Sequence, residues 1–481
     1  MISQDLMAPI MFGGLIVFLL IGYPAAFSLG AVVLFFSFIG IEMGMFQPTF
    51  LQALPDRVFG ILSNDLLLSI PFFTFMGAIL EKCGLAEDML EGLGQLFGPI
   101  RGGLAYAVII VGAILGAITG TVAASVIAMG LISLPIMLRY GYNPRVATGV
   151  IAASGTITQL IPPSLVLIVL ADQLGKSVGD MYAGAIGPSI IQIILFCLFI
   201  FFLSIFRPQD VPALPPEARP KIDWKLFKKI LWGIVPSIAL IFLVLGTILM
   251  GLATPTEGGA MGSVGALVLA AMNGRLQKTL VWDAMTSTMR INAMVIFILI
   301  GSTVFGLAFR GVDGDLWIEH LLSGLPGGQV GFLIVVNLFV FFLAFFLDYF
   351  EIAFIIIPLL APVAQKLGID LIWFGVLLGA NMQTSFMHPP FGFALFYLRG
   401  VAPKSVKSSD IYYGALPWVG LQLILVAIII FVPETVTYFI DKPAIAVDAN
   451  AISVDPLAGV EQNEITVDSS SEIERQLREN K

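Results

Sequence analysis

Two stretches place chemically capable residues inside an apolar chain: "SGTITQLIPPSL" (Ser154–Leu165) and "NMQTSFMHPPFG" (Asn381–Gly392). Each runs through small, hydroxyl and amide residues into two adjacent prolines. Proline lacks an N–H and disfavours helical geometry in the residue before it, so a tandem pair leaves carbonyls of the preceding turn without helical partners. In hydrocarbon those carbonyls must be satisfied by something. Two readings stay open from the residues alone. Neighbouring helices could compensate a structural kink, or the freed carbonyls, aided by Thr156, Thr158 and Ser385, could form oxygen cages for a small hard cation. Half-helix N-terminal ends would then face an anionic substrate. His388, Asp348 and Glu351 could suggest a metal or acid–base centre, but one His with only His320 besides it is poor ligand spacing, and no catalytic role is expected. Asp348 and Glu351 are costly in a membrane, so they are expected to face protein or a water-filled cavity. Glu257 in "TPTEGG" is expected to cap its helix, and "GAILG" (Gly112–Gly116) to pack helices.

The elements that must hold these residues are membrane helices. Of 481 residues, 58% are hydrophobic and 12% charged, and the mean hydropathy is +0.98, which a soluble domain of this size would not tolerate. A transmembrane helix takes about 20 apolar residues, and the apolar runs are long enough. Hydropathy places the first of them near 8–40. No Lys or Arg precedes Arg57, so a cleavable signal peptide is not expected. Cys83 and Cys197 offer no disulfide framework. The formal charge is −8, and the stretch from Glu434 to Lys481 holds ten acids against four bases, so the acidity lies mostly in a tail expected to be disordered. The partner medium is the lipid bilayer, and no nucleic acid is expected.

The chain repeats itself. Within Ser177–Leu195 and Ser408–Leu425 one gapless register pairs Asp180 with Asp410, Tyr182 with Tyr412, Gly184 with Gly414 and Gln192 with Gln422. Upstream, the two opening stretches align with Pro162–Pro163 over Pro389–Pro390 and Gly141 over Gly368. Basic residues at 139–145, 207–229 and 399–407 mark cytoplasmic loops. The first copy of the aligned helix then runs outside to inside and the second inside to outside. Inverted repeats with paired broken helices are the sequence signature of secondary transporters.

The expected layout is N-terminal scaffold helices over 1–100 and a first transport repeat over 101–206, with a hairpin at 104–138 and a broken helix at 144–171. A basic linker with an interfacial helix follows at 207–229, then a second scaffold segment at 230–330. The second transport repeat covers 331–433, with a hairpin at 331–365 and a broken helix at 371–398, and the tail covers 434–481. The hairpins are expected to be re-entrant, with tips at Thr119–Ser125 and near Asp348–Glu351. Ser125, Ser154, Thr156, Asn381 and Gln383 are the candidate substrate contacts.

These motifs, with "ISLPIMLRYGYNP", "TPTEGGA" (Thr254–Ala260) and "FLDYFEIAFIIIPLLAPVAQKLGIDLIWFGV", resemble the large membrane subunit of the tripartite ATP-independent periplasmic (TRAP) transporters over about residues 1–440. The resemblance implies an all-α polytopic protein of ion-transporter superfamily type in the bacterial inner membrane, working as a sodium-coupled elevator carrier for an organic acid. It further implies two partners, a small four-helix membrane subunit and a periplasmic substrate-binding protein. Carried over by position, one sodium (Na+) site would use Thr119 with main-chain oxygens of Thr158, Ile161 and Pro163. A second would use main-chain oxygens of Ala344, Ser385, His388 and Phe391. The family often has Gly-Pro where this chain has Thr158–Gln159, and Thr where it has His388. "MHPPFGFALFYLRG" resembles the branch associated with aromatic, keto-acid and sugar-alcohol substrates. A stand-alone sodium/anion symporter of similar fold is the alternative within transport; an intramembrane enzyme is the alternative outside it.

Overall fold

The computed structural model describes residues 4–21, 23–45, 48–219, 224–389 and 392–440. The described residues of Met1–Ile440 form one compact helical unit. Among the described residues, seven helices are long and apolar enough to cross a membrane, or up to nine if two bent pairs each count as a span.

The inverted relation is visible in which loops meet. Asn143 donates from its backbone N–H to the Asp210 carbonyl and from its side chain to the Asp210 carboxylate. Gly102 N–H donates to the Val211 carbonyl, Leu214 N–H to the Gly98 carbonyl, and Arg145 pairs with Asp410 at 3.2 Å. The loops near 98–102, 139–145, 207–214 and 399–410 therefore share one end of the bundle. That end carries Arg101, Arg139, Arg145, Arg207, Arg399, Lys404 and Lys407, and the excess of basic residues makes it cytoplasmic. At the opposite end, Gln329 donates to the Leu367 carbonyl, Trp373 Nε1–H donates to the Ile429 carbonyl, and Gly375 packs on Leu174. Asn64 binds Asp172 there, and Thr256 binds the Asp65 carbonyl.

Helices Gly103–Thr119 and Val122–Arg139 form a hairpin that opens at the basic end. Gly328–Leu343 and the Tyr349–Lys366 span form one that opens at the other. Each broken helix follows its hairpin through a left-handed glycine, Gly141 at φ 82° and Gly368 at φ 71°. These two positions align in the repeat, and only glycine takes that turn without strain. The next residue but one caps the helix in both copies: Asn143 accepts from Arg145 N–H, and Asp370 from Ile372 and Trp373 N–H.

Several boundaries differ from the hydropathy reading. The run at 8–40 is two helices, Gln4–Ile21 and Ala25–Glu42, because Pro24 cannot continue a helix from the residue before it. The expected interfacial helix is not separate, since Trp224–Ile241 is continuous through Lys229 into the next span; residues 220–223 of the linker lie outside the described residues. The tail does not begin at Glu434. Glu434–Thr437 is a helical turn whose Val436 is buried beside Gly184 of the Val178–Phe206 helix. Residues 441–481 lie outside the described residues. Thr254 and Glu257 form the expected reciprocal cap, with Thr254 N–H donating to Glu257 at 2.8 Å.

Candidate functional site

The first break separates Pro144–Thr156 from Leu165–Leu174. Between them Ile157–Gln159 tightens into a 3-10 turn, and the Pro162–Pro163 peptide is cis. Around the prolines, Ser164 Oγ donates to the Gln159 carbonyl at 2.5 Å, and Ser189 Oγ donates to the Leu160 carbonyl at 3.1 Å. Among the described residues nothing donates to the carbonyls of Ile161 and Pro163. Compensation of the kink is therefore partial; the Thr158 carbonyl likewise accepts nothing among the described residues, and Thr158, Ile161 and Pro163 are the main-chain members of the expected first sodium set.

The first hairpin tip meets this break. Its turn is Gly120–Thr121, narrower than the expected Thr119–Ser125, and Ser125 sits in the first turn of the descending arm. Gly120 takes φ 61° beside the Pro163 carbonyl. Thr119 Oγ1 donates to the Leu115 carbonyl and lies 3.1 Å from Ser125 Oγ, so both hydroxyls face one spot at the tip. "GAILG" does pack helices, and its partner is the break itself. A Cβ on Gly112 would lie 2.7 Å from Ser154 Cβ, and one on Gly116 would lie 2.9 Å from Thr158 Cα.

The second break follows Leu371–Met382 with a 3-10 turn at Gln383–Met387 and resumes as a helix at Phe393. Of the expected second sodium set, Ala344 ends the ascending arm of the hairpin, and Ser385 Oγ is buried without a hydrogen-bond partner. The His388 carbonyl accepts from Gly392 N–H at 2.6 Å. Phe391, with Pro390, lies outside the described residues. The His388 ring stacks on Phe345 at 4.0 Å and meets Phe341 edge-on at 4.4 Å, so it is an aromatic packing element. The turn of this hairpin falls at 344–348, ahead of the expected tip. Asp348 and Glu351 cap its descending arm reciprocally: Asp348 N–H donates to Glu351 at 3.0 Å, and Glu351 N–H to Asp348 at 2.9 Å.

Both tips and both breaks line one cavity of about 250 Å³. Paired by the register that superposes the two Pro-Pro steps, its walls are matched: Thr121 with Asp348, Val122 with Tyr349, Ala123 with Phe350, Gln159 with Phe386 and Val166 with Phe393. The cavity therefore lies where the inverted repeats meet. Ile291 and Met294 of Lys278–Gly311 close it from the scaffold side, and no sequence signal marks those two residues. Gln159 Oε1 is a buried acceptor without a partner here, a state that costs free energy unless something polar binds it.

None of Ser125, Ser154, Thr156, Asn381 and Gln383 lines this cavity; all are buried between helices. Asn381 donates to the Asn337 carbonyl at 2.8 Å. Gln383 accepts from Gln192 at 2.8 Å, and Thr156 accepts from Gln422 at 3.0 Å. Gln192 aligns with Gln422, and Thr156 with Gln383, so each repeat's glutamine braces the other repeat's break. The sequence alignment displayed the glutamine pair without revealing what it held.

The model of the family described as "Tripartite ATP-independent periplasmic transporter, DctM component" matches residues 12–435. The C4-dicarboxylate TRAP transporter large permease protein DctM of Rhodobacter capsulatus is 29% identical over 445 residues, covering 89% of this chain and 97% of that protein. The isethionate TRAP transporter permease protein DctMQ of Oleidesulfovibrio alaskensis is 26% identical over 90% of this chain and 66% of its own length. Among solved structures, the YdaH transporter of Alcanivorax borkumensis superposes with a TM-score of 0.56 at 16% identity, covering 79% of this chain and 86% of that one; it shares the fold.

Proposed function

The chain belongs to the DctM family of TRAP transporters, making it a multi-pass inner-membrane permease subunit and not an enzyme, and on that premise we propose that it couples sodium entry to the import of an organic acid. One observation carries this reading. Two inverted breaks and two inverted hairpin tips converge on one cavity, with the Ile161 and Pro163 carbonyls unpartnered beside the first tip. Carbonyl oxygens suit a hard cation, and a cavity at the meeting of inverted repeats, with Thr121, Gln159 and Asp348 in an otherwise largely apolar wall, suits its co-substrate. Thr119, Thr158, Ile161 and Pro163 would hold one ion. Ala344, Ser385, His388 and Phe391 would hold another, through main-chain oxygens and the unpartnered Ser385 hydroxyl. The substrate contacts move from the buried braces to the cavity wall: Thr121, Gln159, Asp348 and Tyr397. Bound sodium supplies the positive charge that offsets Asp348 and the incoming carboxylate.

The two expected partners belong to this reading. A fused relative named DctMQ supports work alongside a small membrane component, and a periplasmic binding protein would deliver the substrate. Proteoliposomes with all three components are expected to accumulate substrate at least about tenfold faster than proteoliposomes with this chain alone, the gain that capture and presentation by a binding protein confers as effective concentration. Equal uptake by the single chain would favour the stand-alone sodium/anion symporter.

A further inference from the structure

A second cavity, of about 190 Å³, opens toward the non-basic end of the bundle. Arg57 and Arg310 line it, with Gln173, Ser302, Thr303 and Pro358, and no carboxylate is among its walls. It straddles the parts of the molecule expected to move against each other. Arg57 and Arg310 come from the scaffold helices Leu54–Leu62 and Lys278–Gly311, while Gln173 and Pro358 come from the first and second repeat.

Guanidinium groups stay charged at any physiological pH and suit carboxylates geometrically. Neither arginine has an ion pair among the described residues, and both are exposed. Asp56 adjoins Arg57 on Leu54–Leu62 and Asp313 follows Arg310, but neither is in the cavity wall, and the two oxygens of Asp172 already accept from Asn64 and Gln173. Gly306, on the same face, has open space: a Cβ there would meet nothing within 4 Å.

The position along the helices gives the cavity a role. The central cavity uses Val166, Met294 and Phe350; this one uses Gln173, Ser302 and Phe354 of the same three elements. At 1.5 Å per residue the step of seven or eight residues along the first two of these elements is about 11 Å. The two cavities therefore lie at successive levels of the same elements, and the arginine-lined one is the outer. We propose that the Arg57–Arg310 cavity is an anion vestibule that holds the carboxylate of an incoming organic acid at the periplasmic side before it passes to the central cavity. This rests on the import reading for its direction, though not for its chemistry.

The test uses the full chain in intact cells without binding protein. In a Cys83→Ala, Cys197→Ala background, Thr303→Cys is labelled from outside with an anionic, a cationic or a neutral methanethiosulfonate. The anionic reagent should react at least about tenfold faster than the cationic one, as expected for focused attraction into a charged cleft. Arg57→Gln with Arg310→Gln should abolish that preference while leaving the neutral reagent's rate unchanged, which reports an intact fold. Succinate, as a competing dicarboxylate probe, should slow the anionic reagent in the parent and not in the double variant. Equal anionic and cationic rates, or a preference that survives loss of both arginines, would overturn the proposal. Uptake by the complete system separates it from the import reading: uptake without anion preference sinks the vestibule alone, and anion preference without uptake sinks the import reading alone.

Discussion

Gly116→Val is expected to abolish sodium-dependent uptake while the protein still reaches the membrane. A Cβ at this position would sit 2.9 Å from Thr158 Cα and 3.2 Å from Thr158 N, and backbone atoms cannot rotate away as a side-chain end can. Two further methyls raise the misfit, so the hairpin arm and the break must separate. Overpacking of this kind costs about 1–3 kcal/mol, which a chain of this size survives. The lost function comes from geometry, because the displaced segments are those carrying Thr119, Thr158, Ile161 and Pro163. Gly116→Ala should give a weaker version, with the half-saturating sodium concentration raised about tenfold for a loss of about 1.4 kcal/mol. Gly420→Ala is the control, since a Cβ there meets nothing within 4 Å. Measured as initial uptake against external sodium, normalised to folded carrier, unchanged kinetics in Gly116→Val would remove the tip–break contact from the mechanism.

Replacing Pro162 and Pro163 together with Ala should have an effect nearly as large, by a different route. The new N–H groups at 162 and 163 lie four residues beyond the Thr158 and Gln159 carbonyls, the spacing of an α-helical hydrogen bond. Helix can then propagate through the break, drawing the Thr158 carbonyl into the backbone ladder and Gln159 away from its acceptance of Ser164 Oγ. Propagation gains backbone hydrogen bonds, so the variant should be at least as stable as the parent. The half-saturating sodium concentration should rise by about tenfold or more, the equivalent of about 1.4 kcal/mol. A kink that serves packing alone gives the opposite signature: lower abundance, with an unchanged sodium dependence in whatever folds. The two outcomes are told apart by sodium titration of initial uptake beside the thermal stability of the purified variant.

Much of this organisation was legible in the residues because it is written twice. The aligned prolines, the aligned glycines at 141 and 368, and the loop charges jointly require an inverted pair of broken helices, and the structure ties the corresponding loops to opposite ends. Hairpin boundaries were readable to within a few residues because the chain must reverse inside an apolar run, where Gly120 or an acidic cap can turn it. The lining of the central cavity was not readable in the same way. Ser154, Thr156, Asn381 and Gln383 are polar residues on broken helices, and sequence cannot say which face of such a helix meets a neighbour. The structure turns them inward, against Gly112, Gln422, Asn337 and Gln192. The cavity wall depends instead on Ile291 and Met294 from a helix distant in sequence, and on Asp348, whose capping role gives it a structural reason to be where it is. His388 likewise offered ligand chemistry on paper and is held by two aromatic rings in the fold.

The central claim is that sodium, held by main-chain oxygens at the breaks, drives import. Its most direct measurement is initial substrate uptake into proteoliposomes holding the large subunit, its small membrane partner and the binding protein, with the membrane potential clamped. An inward sodium gradient is compared with an equal inward potassium gradient. The account predicts accumulation under sodium and none above background under potassium; equal accumulation under both gradients would contradict it.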